Sequence, residues 1–421
     1  MAPRAFDFPK LAIEKHNVPI DNHPPCMPDV GITAIVPDEW GGPWESRHQV
    51  LIRLAKYFNV VWVNPVGWWN EAWFGPRSDR FLSAKSQDLP CGFSVFEKSY
   101  YFPSFGKPWI DYASEYIRLA VARKTLRARG SRTHVLYVWR DSFFSAMDRG
   151  RYDVSCYHID DEYTFSAVDL PIRPREENLI KRVDQVFISS PALMAKKGHL
   201  NAQTARIPNG VSIQEYITPK DEPEDMVDIP HPRIGYVGII KRQLNIDVLL
   251  EIAKRHPEYS FVFVGPKRSD LRDDGAKWEK LESLSNAYFV GGKPVFELPA
   301  YTQHMDVCML CYSINDYTKY IYPLKLHEYL AAGKPIVGAP LESLQEFPEY
   351  IHFAETADEW AAGIQQALSD SSQSREMVNA RKNIAREHDW DVLVSRIAFK
   401  ICENLGPDYV ARLSKEEKKL G

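Results

Sequence analysis

Short apolar strands alternate with helix-period segments twice along this chain, and that repetition restricts the fold more than any other feature. From Gly31 the order is a strand at Ile32–Val36, a loop Trp40-Gly41-Gly42-Pro43, a helix over about Ser46–Tyr57 and a strand at Val60–Val63. Strand, loop, helix, strand is a βαβ unit. Further strands are expected at Val135–Trp139, Ser155–Ile159, Val186–Ser189 and Thr204–Ile207. Such a series builds a parallel sheet covered by helices.

Between Ile217 and Arg233 the run TPKDEPEDMVDIPHP sets Pro219, Pro223, Pro230 and Pro232 among five carboxylates. Prolines stop helices and sheet ladders, so this stretch reads as a linker. The alternation then resumes. Strands are expected at Ile234–Val237, Phe261–Val264, Ala287–Val290, Val307–Tyr312 and Ile336–Ala339, with helices at about Asn245–Arg255, Glu297–His304 and Leu324–Ala332. The expected organisation is a proline-rich arm at 1–30, an N-terminal α/β domain at 31–217, a linker at 218–233 and a C-terminal α/β domain at 234–390. Residues 391–421 read as a helical segment able to pack back on the N-terminal domain. Two facing doubly wound halves would leave a cleft beyond the carboxyl ends of their strands, a geometry suited to joining two substrates.

Composition narrows the function classes. A chain of 421 residues with 44% hydrophobic and 26% charged residues is that of a multidomain globular protein. Its 52 basic and 56 acidic side chains leave a net charge of −4, so no global basic field exists to hold nucleic acid. No apolar run approaches the ~18–20 residues that span a bilayer. The six cysteines are mostly far apart and Met1 to Val30 carries no apolar signal core, which fits a reducing cytosol. Aromatic residues make up 12%, a surplus that either fills cores or supplies flat faces to sugars and bases.

The most informative stretch is YPLKLHEYLAAGKPIVGAP, Tyr322 to Pro340. Pro323 suits a first helical turn, Gly333 ends the helix, and a buried strand follows. The helix start at Leu324 offers backbone N–H groups suited to a phosphate, and Lys325 adds charge. Glu328, three residues on, can accept two hydrogen bonds from a ribose. The same spacing also fits an ordinary surface Lys–Glu pair.

PLKLHEYLAAGKPIV resembles the donor-binding motif of GT-B glycosyltransferases, in particular retaining glycosyltransferase family four, and the likeness extends over most of the chain. GYVG (235–238) resembles the first strand and glycine turn of their C-terminal domain, and FVFVGP (261–266) the second strand. NAYFVGGKPVFELPAY (286–301) resembles the strand and base-binding loop, and IPNGVSIQEY (207–216) the approach to the hinge. The resemblance implies two facing Rossmann-like domains and transfer of a sugar, with retention of configuration, from a nucleotide-diphosphate-sugar to a hydroxyl acceptor. It implies Glu328 on the ribose, with Leu324, Lys325, Gly238, Gly291, Val295, Gly41 and Gly42 lining the donor. Lys241 and Arg242 would neutralise the leaving diphosphate. Tyr320 stands where many members carry a sugar-contacting glutamate, and Lys241 and Arg242 are adjacent where the family tends to space its Arg and Lys about five residues apart.

WGGPWESRHQ, with Arg47 at its helix start, resembles the family's glycine loop. SCYHIDDEYTF (155–165) ends a strand in His158, Asp160 and Asp161, which the resemblance places on the acceptor side, with His158 and Asp161 next to the chemistry. Such carboxylates also cap helices. Asp160, Asp161 and Glu162 would otherwise read as metal ligands of the GT-A class, but a single sheet of that kind needs no second alternation. Cys308 and Cys311 look like half a zinc site without the second pair and read as core. Gly235-Tyr-Val-Gly238 lacks the third glycine of a dinucleotide fingerprint. Neither cofactor nor metal is therefore expected beyond the nucleotide-sugar co-substrate. A non-catalytic nucleotide-sugar- or glycan-binding protein on the same scaffold is the other reading.

One local charge excess remains. Arg118, Arg123, Lys124, Arg127, Arg129 and Arg132 occur with no acid between them, after Tyr100, Tyr101, Phe102, Phe105 and Trp109. Basic charge with aromatics fits an anionic membrane surface, and an ordinary amphipathic helix fits as well. Bacterial relatives in the family build cell-surface polysaccharide on lipid-linked acceptors, which implies a cytoplasmic protein peripheral to the inner face of the membrane.

Overall fold

The computed structural model describes residues 23–42, 44–65, 69, 89–96, 103–166, 168–268, 271, 274–369 and 371–420. Most of the expected arm and the aromatics 100–102 lie outside the described residues. The described end of the arm is packed: Met27 and Val30 are buried, and the Met27 N–H donates to the Tyr57 carbonyl at 2.9 Å.

The chain divides into two compact α/β units. One takes in residues 23–161, 171–208 and 390–420, and the other residues 162–170 and 209–389. Among the described residues the first holds seven parallel strands: β1 (Val30–Ile35), β2 (Asn59–Val63), β3 (Phe93–Phe96), β4 (Thr133–Val138), β5 (Val154–Ile159), β6 (Gln185–Ile188) and β7 (Thr204–Arg206). Their order is β3-β2-β1-β4-β5-β6-β7. Runs such as VGITAI and NVVWV are buried along their whole length, as parallel strands covered on both faces require. Strand order reverses between β1 and β4, where Ile35 lies opposite Val63 on one side and Val138 on the other. Chain connections diverge at such a point and leave an opening beyond the carboxyl ends.

The second unit repeats this with six parallel strands, β8 (Arg233–Val237), β9 (Ser260–Val264), β10 (Ala287–Gly291), β11 (Val307–Leu310), β12 (Ile336–Gly338) and β13 (Ile351–Phe353). Their order is β10-β9-β8-β11-β12-β13, with the reversal between β8 and β11. The doubly wound α/β reading thus holds for both halves, and the GT-A reading of one sheet falls.

The structure differs from the expected segmentation at three places. The stretch read as linker is part of the second unit: Met226 and Ile229 are buried in its core, and the buried Arg233 pairs with Glu222 and donates to the Met226 and Ile229 carbonyls. Three anchors among many carboxylates suffice to dock it. Residues 209–217, expected in the N-terminal domain, also belong there, with Val211, Ile213 and Tyr216 in the same core. Segment 162–170 groups with the second unit too, where Asp169 accepts from Lys319 and Tyr320 at 3.0 and 2.8 Å. Residues 390–420 form the helices Trp390–Leu405 and Pro407–Leu420 of the first unit, held by the Arg53–Asp391 ion pair at 3.1 Å and the buried Leu413.

Cys308 and Cys311 are fully buried around β11, and burial pushes both thiols up to about 12, so they stay protonated core residues. Among the described residues, no three His, Cys, Asp or Glu side chains stand together as a metal site would need.

Candidate functional site

In the second unit the strand-order reversal puts three loops side by side at the carboxyl ends of β8, β9 and β11. Gly238 follows β8 with φ of +146°, and its N–H donates to the Val264 carbonyl at 2.7 Å. Gly265 follows β9 with φ of +150° and donates to the Gly291 carbonyl at 2.8 Å. A Cβ on Gly238 would stand 1.9 Å from Lys325 Cε, so the missing side chain is what lets the lysine cross the glycine turn. Lys325 Nζ lies 5.1 Å from the centre of the Tyr236 ring.

Lys325 belongs to the first turn of the helix Leu324–Ala331, which begins after Pro323 with no side-chain cap. Glu328 stands one turn along it. Burial holds its carboxyl above the ordinary glutamate range, against the pull of Lys325 and of a hydrogen bond from the Tyr216 hydroxyl. The glycine turn at Gly238 thus meets a lysine, a helix start and a glutamate that lie together far along the chain. Tyr216 was not singled out at the sequence level. It lies inside IPNGVSIQEY, but no spacing relates it to Glu328, 112 residues away.

Of the other residues expected at the donor, Lys241, Arg242, Gly291, Val295 and Tyr320 belong to this unit, whereas Gly41 and Gly42 belong to the first. Lys241 Nζ is 5.8 Å from the Tyr312 ring centre, and the exposed Arg242 donates to the Phe165 carbonyl at 3.0 Å. Gly291 ends β10 and is exposed, and Val295, in the loop beyond it, is half-buried. Tyr320 is buried, with its hydroxyl donating to Asp169. Asp169, also missed, comes from a segment that sequence order assigns to the other half.

In the first unit, the loop after β1 carries Gly41 and Gly42, the latter closing a turn onto the Glu39 carbonyl at 3.0 Å. The buried Arg47 guanidinium pairs with Asp38 and, at 2.8 Å, with Asp160, which also accepts from Ser46 Oγ at 3.0 Å. Burial works against the Arg47 charge, but these carboxylates outweigh it and raise its pKa. Arg47 and Asp160 therefore hold one another and join the ends of β1 and β5. Asp161, next in sequence, acts with Asp160 in opposing the burial that lowers the Arg140 pKa. His158 is buried at the end of β5, its ring stacked on Trp139 with centroids 5.1 Å apart and Nδ1 3.0 Å from the Tyr137 hydroxyl.

The basic stretch falls on the helix Pro108–Ala128 and its exit. Arg118 is not part of any surface patch: it is buried, donates to the Asn64 carbonyl, and burial lowers it to about 10. Arg123 is half-buried against the Tyr152 ring, whereas Lys124 and Arg127 are exposed. Earlier on this helix Trp109, Tyr112 and Tyr116 are 74%, 50% and 48% exposed.

Comparison with known proteins agrees with this geometry. Residues 242–398 match the family model described as glycosyl transferase-like. A protein of Bacillus subtilis (strain 168), provisionally assigned as the teichuronic acid biosynthesis glycosyltransferase TuaH, is 30% identical over 241 residues. That match covers 54% of this chain and 58% of the relative, so the chain spans little more than half of that protein's length. Among solved structures, HepE of Anabaena in complex with UDP superposes with a TM-score of 0.64 at 16% identity, covering 88% of this chain and 99% of that one. Sucrose-phosphate synthase of Thermosynechococcus elongatus gives 0.63 at 16% identity, with 87% and 97% covered. The E. coli trehalose-6-phosphate protein bound with UDP-2-fluoro glucose gives 0.61 at 12% identity, with 89% and 99% covered. The GT-B part of the resemblance read from the sequence is borne out by the fold, and residues 242–398 match a glycosyl transferase-like family model.

Proposed function

We propose that this chain, of the GT-B glycosyltransferase type, moves a sugar from a nucleotide-diphosphate-sugar to a hydroxyl acceptor with retention of configuration. The observation that carries the reading is the convergence of Gly238, Lys325 and Glu328 at the strand-order reversal of the second unit. The helix start and Lys325 take the diphosphate, with Lys241 and Arg242 reaching it from the turn after β8, and Glu328 takes the ribose. Gly291 and Val295 border the base, and Tyr320 and Leu324 border the donor. UDP and a UDP-sugar in the neighbouring structures support a nucleotide-sugar donor. Positive side chains and a helix terminus stabilise the leaving group, and the departing phosphate takes the acceptor proton, so no protein nucleophile is required. Gly41 and Gly42 border the donor from the other unit, and Arg47, His158, Asp160 and Asp161 serve the acceptor side, Arg47 and Asp160 by bracing each other.

A panel of nucleotide-sugars tests the reading. One donor is slowly hydrolysed without acceptor and turned over faster with it, and activity persists in EDTA. A protein that is thermally stabilised by a donor but never hydrolyses it is a binding protein instead. Full loss in EDTA, restored by Mn²⁺, overturns the metal-independent mechanism.

The acceptor is a saccharide on a lipid carrier, as the teichuronic acid role assigned to the Bacillus subtilis relative suggests for a cell-surface polymer. Exposed Trp109, Tyr112 and Tyr116 on the helix that carries Lys124 and Arg127 suit the headgroup layer of an anionic membrane. Lys124→Gln with Arg127→Gln should weaken co-sedimentation with anionic vesicles about ten-fold at low salt, since each cation adds up to about 1 kcal/mol there. Wild type that stays in the supernatant at low salt removes the membrane from this proposal.

A further inference from the structure

Tyr137 on β4 and His158 on β5 form a closed pair in the first unit. The Tyr137 phenol is fully buried, and among the described residues its hydroxyl has one partner, His158 Nδ1 at 3.0 Å. If Nδ1 carried the proton and donated, the phenol hydrogen would be left without an acceptor inside the fold, which is costly. The phenol therefore donates and Nδ1 accepts. A neutral imidazole with an accepting Nδ1 must carry its proton on Nε2. Among the described residues His158 Nε2 makes no hydrogen bond, and it is not one of the unpartnered polar atoms closed off from solvent. That edge of the ring is the one a ligand can reach.

Stacking fixes the plane of the ring, and the hydrogen bond fixes which edge faces Tyr137. Trp139 lies against both rings, 4.5 Å from Tyr137 and 5.1 Å from His158 between centroids, and Phe187 lies 5.9 and 5.8 Å from the same two. Turning the imidazole over within the stack would put a carbon where Nδ1 stands and break the hydrogen bond. Burial also lowers His158 to about 4, with Asp160 opposing this and Arg47 adding to it, so the ring is neutral around pH 7.

We infer that Tyr137 is a positioning residue that locks His158 as an Nε2–H hydrogen-bond donor, directed at an oxygen of a bound saccharide. In that state Nδ1 is occupied and Nε2 already protonated, so His158 cannot serve as the base for the acceptor hydroxyl. The tautomer stands on the pair alone, whereas its use on a saccharide rests on the function proposed above.

Long-range ¹H–¹⁵N spectra of full-length protein labelled with ¹⁵N-histidine read the tautomer directly, with His158→Gln assigning the signals by their disappearance. Wild type shows an unprotonated Nδ1 and a protonated Nε2, unchanged between mildly acidic and mildly alkaline pH. Tyr137→Phe, which keeps the stacking ring, loses that pattern and gives averaged nitrogens. Tyr157→Phe, which removes a phenol bonded to Glu176 instead, leaves it intact. A protonated Nδ1, an imidazolium near neutral pH, or a Tyr137→Phe spectrum identical to wild type overturns the inference. With an active donor, His158→Gln, whose amide N–H₂ replaces the Nε2–H, retains more transfer than His158→Asn; the reverse order overturns the donor role. Absence of any turnover in wild type sinks the transferase reading and leaves the tautomer to be decided by the spectra.

Discussion

Glu328→Ala is expected to lower affinity for a nucleoside diphosphate by about a hundred-fold or more, because two ribose hydrogen bonds to a carboxylate are worth about 1.5–3 kcal/mol each. In a thermal-shift titration most of the stabilisation given by UDP should vanish. The pH dependence has a definite sign. Burial raises the Glu328 pKa in the unliganded protein, so the folded chain holds that proton more tightly than the unfolded one, and the group contributes less to stability as pH rises through its folded value. Ribose hydroxyls donate to the ionised form. Nucleotide binding therefore releases a proton and tightens as pH rises above the ordinary glutamate value, levelling once Glu328 is ionised unaided. Tyr216→Phe removes a hydrogen bond that favours the ionised form and moves this profile to higher pH. An unchanged thermal shift in Glu328→Ala would put the ribose elsewhere.

Gly265→Ala should be the most destabilising single change among the glycines of the second sheet. Its Cβ would stand 2.1 Å from the Gly238 carbonyl oxygen and 2.6 Å from that carbonyl carbon, both backbone atoms fixed by the β8–β9 ladder. Its φ of +150° is also one that side-chain-bearing residues rarely adopt. Backbone strain of about 1–3 kcal/mol adds to an overpacking cost of about 1–3 kcal/mol. About 4 kcal/mol is therefore expected in urea unfolding. Gly238→Ala has comparable strain, but its Cβ meets the end of the Lys325 chain, which can swing aside. It should lose about half as much stability and show its main effect as weakened nucleotide binding. Gly406→Ala, with nothing within 4 Å of the new Cβ, is the reference for strain alone. A Gly265→Ala midpoint no lower than that of Gly406→Ala would show that the contact relaxes.

Most strands were legible because buried parallel strands demand continuous apolar runs, and VGITAI, NVVWV and SFVFV have no other plausible use. The edge strands β3 and β13 were not read. FSVF and IHF are short and only partly buried, so the pattern that betrays a central strand is missing. Polar character misled at 218–233, where Met226, Ile229 and Arg233 decide the packing and the carboxylates around them do not. In the basic stretch, sequence counted Arg118 with its neighbours, although the helix turns it inward to the Asn64 carbonyl.

What the sequence by itself determined are the local terms: two α/β alternations, a helix begun at Pro323 and ended at Gly333, and the spacing of Lys325 to Glu328. These follow from backbone preference and apolar periodicity, which act over a few residues. Only the tertiary structure decided which distant groups answer one another. Tyr216 reaches Glu328, Asp160 takes Arg47 113 residues away, Asp169 takes Tyr320, and Tyr137 sets the proton of His158. The physical reason is that a buried polar group must find its partner wherever the packed strands and helices bring one within hydrogen-bond distance, and no rule of sequence spacing encodes that meeting.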